Sequence, residues 1–189
     1  LGYGDEPINL GDLENNKFKI KVGLSKFERE NLNNRLNLIK KFGFVNYFGG
    51  QRFSSGGSSR IGKGIVLGDF ESAIKAFLSI HSKEVKYFDD YVLNNWGEWK
   101  SILSVAPKFL GMEKNVLNYL VLNPTDFAGA LRRIPKPTRR LFVHALQSEI
   151  WNRALSKYLA SKVEVKWINL PGHKIAIPID EVKIEKKLS

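Results

Sequence analysis

Asn46-Tyr-Phe-Gly-Gly-Gln-Arg-Phe53 sets three aromatic rings, an amide and an arginine beside two glycines, with no acidic side chain among them. Bare backbone at Gly49 and Gly50 lets a ligand or another strand come close. Rings of this kind stack on nucleobases, and Arg52 can meet a phosphate or a base edge. The same residues also suit a tight turn with an aromatic corner packed into a core.

Working outward, the stretch follows a helix. Ser25 and Glu28 form a capping box, Leu32, Leu36 and Ile39 recur at helical spacing, and Gly43 is placed to end it. Before that helix, Lys17 to Val22 alternates lysine with Phe18, Ile20 and Val22, which predicts a half-buried strand with a basic outer face. Residues 1–16 read as loop.

After the stretch, Ser54 to Gly64 is rich in glycine and serine and reads as a loop. Its Gly57-Ser-Ser-Arg-Ile-Gly-Lys-Gly64 comes close to a nucleotide-phosphate loop, but Gly64 stands where a magnesium-binding hydroxyl is needed. A nucleoside triphosphatase is therefore not expected. The backbone there, with Arg60 and Lys63, could still bind phosphate.

Asp69 caps the next helix, whose apolar face is Ala73, Ile74, Phe77 and Leu78. From Lys83 to Arg133 the pattern is helical in short pieces broken at Gly97, Pro107, Gly111 and Pro124, with Trp96, Trp99, Phe109 and Phe127 as its core. Asp89 and Asp90 are helix neighbours, about 100° apart, and read as a solvated face. Arg132-Arg-Ile-Pro-Lys-Pro-Thr-Arg-Arg140 carries five positive charges and no negative one, and its prolines suggest an extended basic linker. It leads into the longest helix, about Thr138 to Ala160, apolar over most of its circumference and expected to be largely buried. One row interrupts it, His144, Ser148, Asn152 and Ser156, which either faces a polar site or bonds to backbone inside the core. Residues 163 to 184 read as short strands about the Leu170-Pro-Gly172 turn.

Composition narrows the classes. The 189 residues carry a formal net charge of +11 and are 43% hydrophobic. That is enough for a real core, and it favours a polyanionic partner. No apolar run approaches transmembrane length, so no membrane partner is expected. There is no cysteine, which excludes disulfides and thiolate metal sites and fits a reducing cytoplasm. His81, His144 and His173 lack ligand spacing with carboxylates, so no metal is expected. No serine-hydrolase elbow and no dinucleotide fingerprint occur.

Three ordered segments carry a resemblance. Gly43-Phe-Val-Asn-Tyr-Phe-Gly-Gly-Gln-Arg-Phe53 resembles the G-x-x-N-Y-F-G-x-Q-R-F motif of the TruD family of tRNA pseudouridine synthases. Leu10-Gly-Asp-Leu-Glu-Asn-Asn-Lys-Phe-Lys-Ile20 is similar to its L-G-x-L-x-G-N-x-F segment, with Asn15 in place of glycine. Phe142-Val-His-Ala-Leu-Gln-Ser-Glu-Ile-Trp-Asn152 is similar to its A-x-Q-S-x-x-[FW]-N helix. The resemblance implies an α+β, mostly helical fold. Residues 1–80 would be part of the pseudouridine-synthase catalytic domain and 81–189 the family's mostly helical insertion domain.

The resemblance also implies a reaction. An aspartate attacks the nucleotide, the glycosidic bond breaks, and the freed uracil turns and reattaches through carbon, with no metal or organic cofactor. Phe48 would stack on the target base and Asn46 would orient the aspartate. Arg52 and Gln51 would support that corner. The family's aspartate lies in a G-x-K-D segment N-terminal to the first match, and this sequence has none. Asp5, Asp12, Asp69, Asp89, Asp90 and Asp126 have no motif match. With Leu1 first and Met112 the only methionine, the chain is expected to be a fragment: its parent a synthase acting on RNA, tRNA above all, and itself inactive alone. Arg52, Arg60, Lys63, Arg132, Arg133, Arg139 and Arg140 are the expected RNA contacts. The alternatives are a non-catalytic basic RNA-binding module and a helical scaffold for protein partners.

Overall fold

Gly43 ends the first helix as its position predicts: α1 spans Lys26–Phe42, and Gly43 leaves it at φ +75° with its N–H on the Ile39 carbonyl at 2.8 Å. The computed structural model describes residues 17–19, 21, 23, 25–54, 56–81 and 85–179. They fall into two units, residues 1–44, which hold α1, and residues 45–189, which hold everything that follows. Of the strand expected over 17–22, positions 20 and 22 lie outside the described residues. Positions 17–19 and 21 are not strand, and Phe18 is 80% exposed rather than half-buried. Alternation makes a strand only where a neighbouring edge offers hydrogen bonds, and the one sheet among the described residues is a hairpin at the other end of the chain.

In the second unit, an extended segment and a 3₁₀ turn (Gly50–Phe53) lead into α2 (Gly57–Leu67). The glycine-rich segment expected as a loop is thus a helix from Gly57 onward. A glycine in a helix costs about 1 kcal/mol relative to alanine, and here close packing explains it. A methyl group at Gly62 would strike the backbone carbonyl of Phe142, and one at Gly64 would stand 2.8 Å from both Ala73 Cβ and the Asp69 carbonyl oxygen. The glycines let α2 press against two other helices.

Those helices belong to a bundle of α3 (Phe70–Ser79), α4 (Lys86–Asn94), α5 (Trp99–Val105), α6 (Gly111–Leu122), α7 (Phe127–Arg132) and α8 (Lys136–Ala160). α2 packs on α3 and α8, α3 on α4 and α7, and α6 on α5 and α7. Asp69 caps α3 by accepting the Ser72 N–H at 3.1 Å, and Asp126 caps α7 by accepting the Gly129 N–H at 2.8 Å. Ile74, Leu78, Phe88, Ile102, Leu117, Leu120 and Ile134 fill the core. Trp96, Trp99 and Phe127 join it as expected, Trp96 stacking on Phe127 at 6.1 Å. Phe109 does not: it is 75% exposed, because Leu110 takes the inward position in that turn.

Asp89 also departs from its reading as a solvated residue. It is buried, accepts the His81 backbone N–H at 2.9 Å and meets His81 Nδ1 at 2.5 Å, while Glu113 reaches Nε2 at 3.3 Å. The imidazole supplies the partner without which a carboxylate would not leave water. Burial by itself would lower the His81 pKa. The hydrogen bonds to Glu113 and Asp89, with their charges, prevail and raise it above its ordinary value.

The basic linker is not extended. Arg132 is the last residue of α7, Pro135 precedes α8, and Pro137 sits in its first turn, where a missing N–H costs nothing. α8 is not buried all round either: Leu141, Ile150 and Trp151 are at least half exposed, while Ser148, Asn152 and Ser156 are buried. After α8, β1 (Val165–Leu170) and β2 (His173–Pro178) pair antiparallel, from Val165 opposite Pro178 to Leu170 opposite His173. The Pro171–Gly172 turn joins them with Gly172 at φ +84°, as its residues predict. β2 packs on α8. The fold is α+β and mostly helical.

Candidate functional site

The polar row of α8 holds the Asn46–Phe53 segment in place. Asn152 Oδ1 accepts the Phe48 N–H at 2.9 Å, and its Nδ2 donates to the Phe48 carbonyl at 2.9 Å. That pairing, the same as a strand would make, fixes the orientation of the amide group. Nδ2 also lies 3.0 Å from His173 Nε2, which must then be the acceptor of a neutral ring. Burial lowers the His173 pKa and so favours that neutral form. One turn earlier, Ser148 Oγ donates to the His144 carbonyl at 2.8 Å and accepts from Arg52 Nε at 3.4 Å. One turn later, Ser156 Oγ donates to the Asn152 carbonyl at 2.7 Å and accepts the Ala176 N–H at 3.1 Å. The Tyr47 hydroxyl donates to the Ala176 carbonyl at 2.8 Å. Trp151 Nε1 donates to the Asn46 carbonyl at 3.0 Å.

Of the two readings of the polar row, bonding inside the core is the one adopted by Ser148, Asn152 and Ser156. His144 is exposed.

This anchoring sorts the rings by task. Phe53 is fully buried and meets the His173 ring edge-on at 4.5 Å. Tyr47 is half-buried. Phe48 stays 41% exposed, with the Arg52 guanidinium 5.6 Å from its ring centre. Asn46, Phe48 and Arg52 open together onto a cleft of about 360 Å³ whose far wall is His144, Gln147 and Trp151. Among the described residues no carboxylate lines it. A planar base fits such a wall: a ring to stack on, a cation at the rim and amides at the edge.

The other expected contacts lie elsewhere. Arg60 and Lys63 are exposed on α2 and line a different hollow of about 500 Å³ with Lys75. They present side chains from a helix, not the phosphate-cradling loop backbone expected there. Arg132, Arg133, Arg139 and Arg140 gather about the α7–α8 joint. Arg133 lies over the Tyr119 ring at 4.3 Å, Arg139 is half-buried, and Arg132 and Arg140 are exposed.

None of the described aspartates reaches the cleft. Asp69 and Asp126 are helix caps, Asp89 is bound to His81, and Asp90 is exposed on α4. Asp5 and Asp12 lie outside the described residues. Among the described residues no group of three or more His, Asp or Glu side chains could hold a metal, and no helix is long and apolar enough to cross a membrane. Sequence reasoning assigned no role to Tyr47 or Trp151, and gave Asn152 only the two open readings of its row. The signal for Asn152 was its place in a polar row on an otherwise apolar helix.

The segment presented here and the helix that grips it are two of the three segments that carry the resemblance. The family model described as tRNA pseudouridine synthase D (TruD) matches residues 1–173. The chain belongs to the TruD family. It is 38% identical over 175 residues to a Methanopyrus kandleri protein named "Probable tRNA pseudouridine synthase D", covering 87% of this chain and 42% of that one. It is 35% identical over 161 residues to the multisubstrate pseudouridine synthase 7 of Schizosaccharomyces pombe, covering 82% of this chain and 24% of that one. A crystal structure of a TruD protein from Methanosarcina mazei superposes with a TM-score of 0.61 at 28% identity, over 82% of this chain and 40% of that one. The chain thus spans about two-fifths of the length of most of these TruD relatives.

Proposed function

We propose that this chain supplies the base-holding corner of an enzyme that isomerises uridine to pseudouridine in RNA, with tRNA as its substrate. The observation that carries this is Phe48: a half-exposed ring under an arginine, in the motif position of TruD, held from behind by Asn152. A uracil swung out of the RNA stacks on Phe48. Asn46, on the same rim, directs the attacking carboxylate, which a G-x-K-D segment outside this sequence supplies. The carboxylate attacks the nucleotide and the bond from ribose C1′ to N1 breaks. The uracil turns, C5 bonds to C1′ as the bond to the carboxylate breaks, the C5 proton leaves and N1 takes up a proton. Arg52 and Gln51 support the rim. Arg60, Lys63, Arg132, Arg133, Arg139 and Arg140 meet RNA phosphates. The border between catalytic and insertion domains falls near residue 80 in this reading, and the setting is the cytoplasm.

Tritium release from tRNA labelled at uracil C5 tests the proposal. A longer protein that carries this chain together with a G-x-K-D segment is expected to release tritium and to lose that activity on Phe48→Ala. The 189-residue chain alone is expected to release none. Unchanged turnover in the Phe48→Ala protein removes Phe48 from the site. The described residues that line the cleft include no carboxylate, which favours a second reading, a basic RNA-binding module without chemistry. An inactive longer protein that still binds tRNA selects that reading.

A further inference from the structure

Arg52 has a cleft on each side. One is the Phe48 cleft. The other, of about 470 Å³, is lined by Gly49, Gln51, Ser58, Thr138, Leu141 and Phe142, and Arg52 also borders it. We propose that this second cleft binds the nucleotide adjoining the target uridine, so that the two clefts read consecutive positions of a single strand. The inference rests on the reading of Phe48 as the base platform.

Several features support it. The clefts share one wall, so a strand leaving the first passes Arg52 to enter the second. A guanidinium at that divide is placed to hold the phosphate between two nucleotides. The wall beside it is bare: a Cβ added at Gly49 would meet no described atom within 4 Å, so the sugar–phosphate chain can lie against backbone. Leu141, 54% exposed, and half-buried Phe142 offer an apolar surface to a base. Ser58, Thr138 and Gln51 bring hydroxyl and amide groups that can donate to or accept from a base edge. Among the described residues no carboxylate lines this cleft, and Arg139 and Arg140 follow Thr138 at the start of α8. The described lining therefore sets no negative charge against an RNA strand along this path. The floor is held rigidly, because α2 and α8, which carry Ser58 and Thr138, cross at Gly62 with no room for a methyl group.

The test compares uridine 5′-monophosphate with the dinucleotide UpU on the 189-residue chain, by amide chemical shifts and titrated affinity. UpU is expected to bind about five- to 150-fold more tightly, through stacking of the second base. It should shift the amides of Phe48 and Gly49 together with those of Ser58 and Thr138. Ser58→Trp or Thr138→Tyr, each filling the second cleft, is expected to bring UpU down to the affinity of the monophosphate while leaving the monophosphate unchanged. Equal affinities for the two ligands, or UpU binding that both variants leave intact, overturn the inference while Phe48→Ala still weakens the monophosphate. If Phe48→Ala has no effect on either ligand, the platform reading fails and this inference falls with it. A folded amide spectrum in each variant excludes unfolding as the cause.

Discussion

Phe48 and Asn152, 104 residues apart in the chain, are joined by two hydrogen bonds of 2.9 Å that satisfy both backbone polar groups of Phe48. The ring that faces the cleft therefore owes its direction to a residue that is itself fully buried. Asn152→Ala would strand a donor and an acceptor and unpair His173 Nε2. The expected loss of stability is about 2–4 kcal/mol, read from the urea midpoint. A change below about 0.5 kcal/mol would show that the pairing is replaced by water.

Gly62 predicts a second loss. Gly62→Ala forces a methyl group against the Phe142 carbonyl at the α2–α8 crossing, and should cost about 1–3 kcal/mol. Gly111→Ala, at a helix position with nothing within 4 Å, is the control and should be neutral or stabilising. Equal effects in the two variants would mean that the crossing has slack.

His81 predicts a pH dependence. Its pKa is raised above 6.5 in the folded protein, so folding holds the proton more tightly than the unfolded chain does. The stability this adds is fully present below that ordinary value and is lost as pH rises through the folded value. Against wild type, His81→Asn should therefore be more destabilised below pH 6.5 than well above it. His173, whose pKa is lowered by burial, works in the opposite sense and cancels in that comparison. A constant difference across the range would show that the Asp89–His81–Glu113 cluster binds a neutral ring.

The α7–α8 joint predicts a salt effect. Replacing Arg132, Arg133, Arg139 and Arg140 by Glu should weaken RNA binding and flatten its dependence on salt. The log–log slope should fall by about 0.7 for each single-strand phosphate that the variant no longer neutralises. Unchanged affinity would favour the scaffold reading of this surface over the RNA-facing one. Filter binding at several salt concentrations measures both quantities.

Local chemistry was legible from residue order alone. Asp69 before an apolar period, Gly43 after one and Pro171–Gly172 between two short strands each act within a few residues of themselves. The motif at Asn46–Phe53 was legible for the same reason, since its glycines and rings needed no distant partner to be noticed. Folding decided what those signals could not carry. Gly62 and Gly64 looked like loop until another helix lay against them. Asp89 looked solvated until His81 stood opposite. Arg132–Arg140 looked extended until two helices met there.

α8 shows the physical reason most plainly. Hydropathy assigns a polar residue to water because, by itself, burying it is costly. The cost vanishes once a partner arrives, and the partners of Ser148, Asn152 and Ser156 lie on Arg52, Phe48 and Ala176. The amino-acid order therefore determined which rings and amides this TruD chain has to offer. Only contacts between distant segments decided that Phe53 is sealed inside while Phe48 is left facing the cleft.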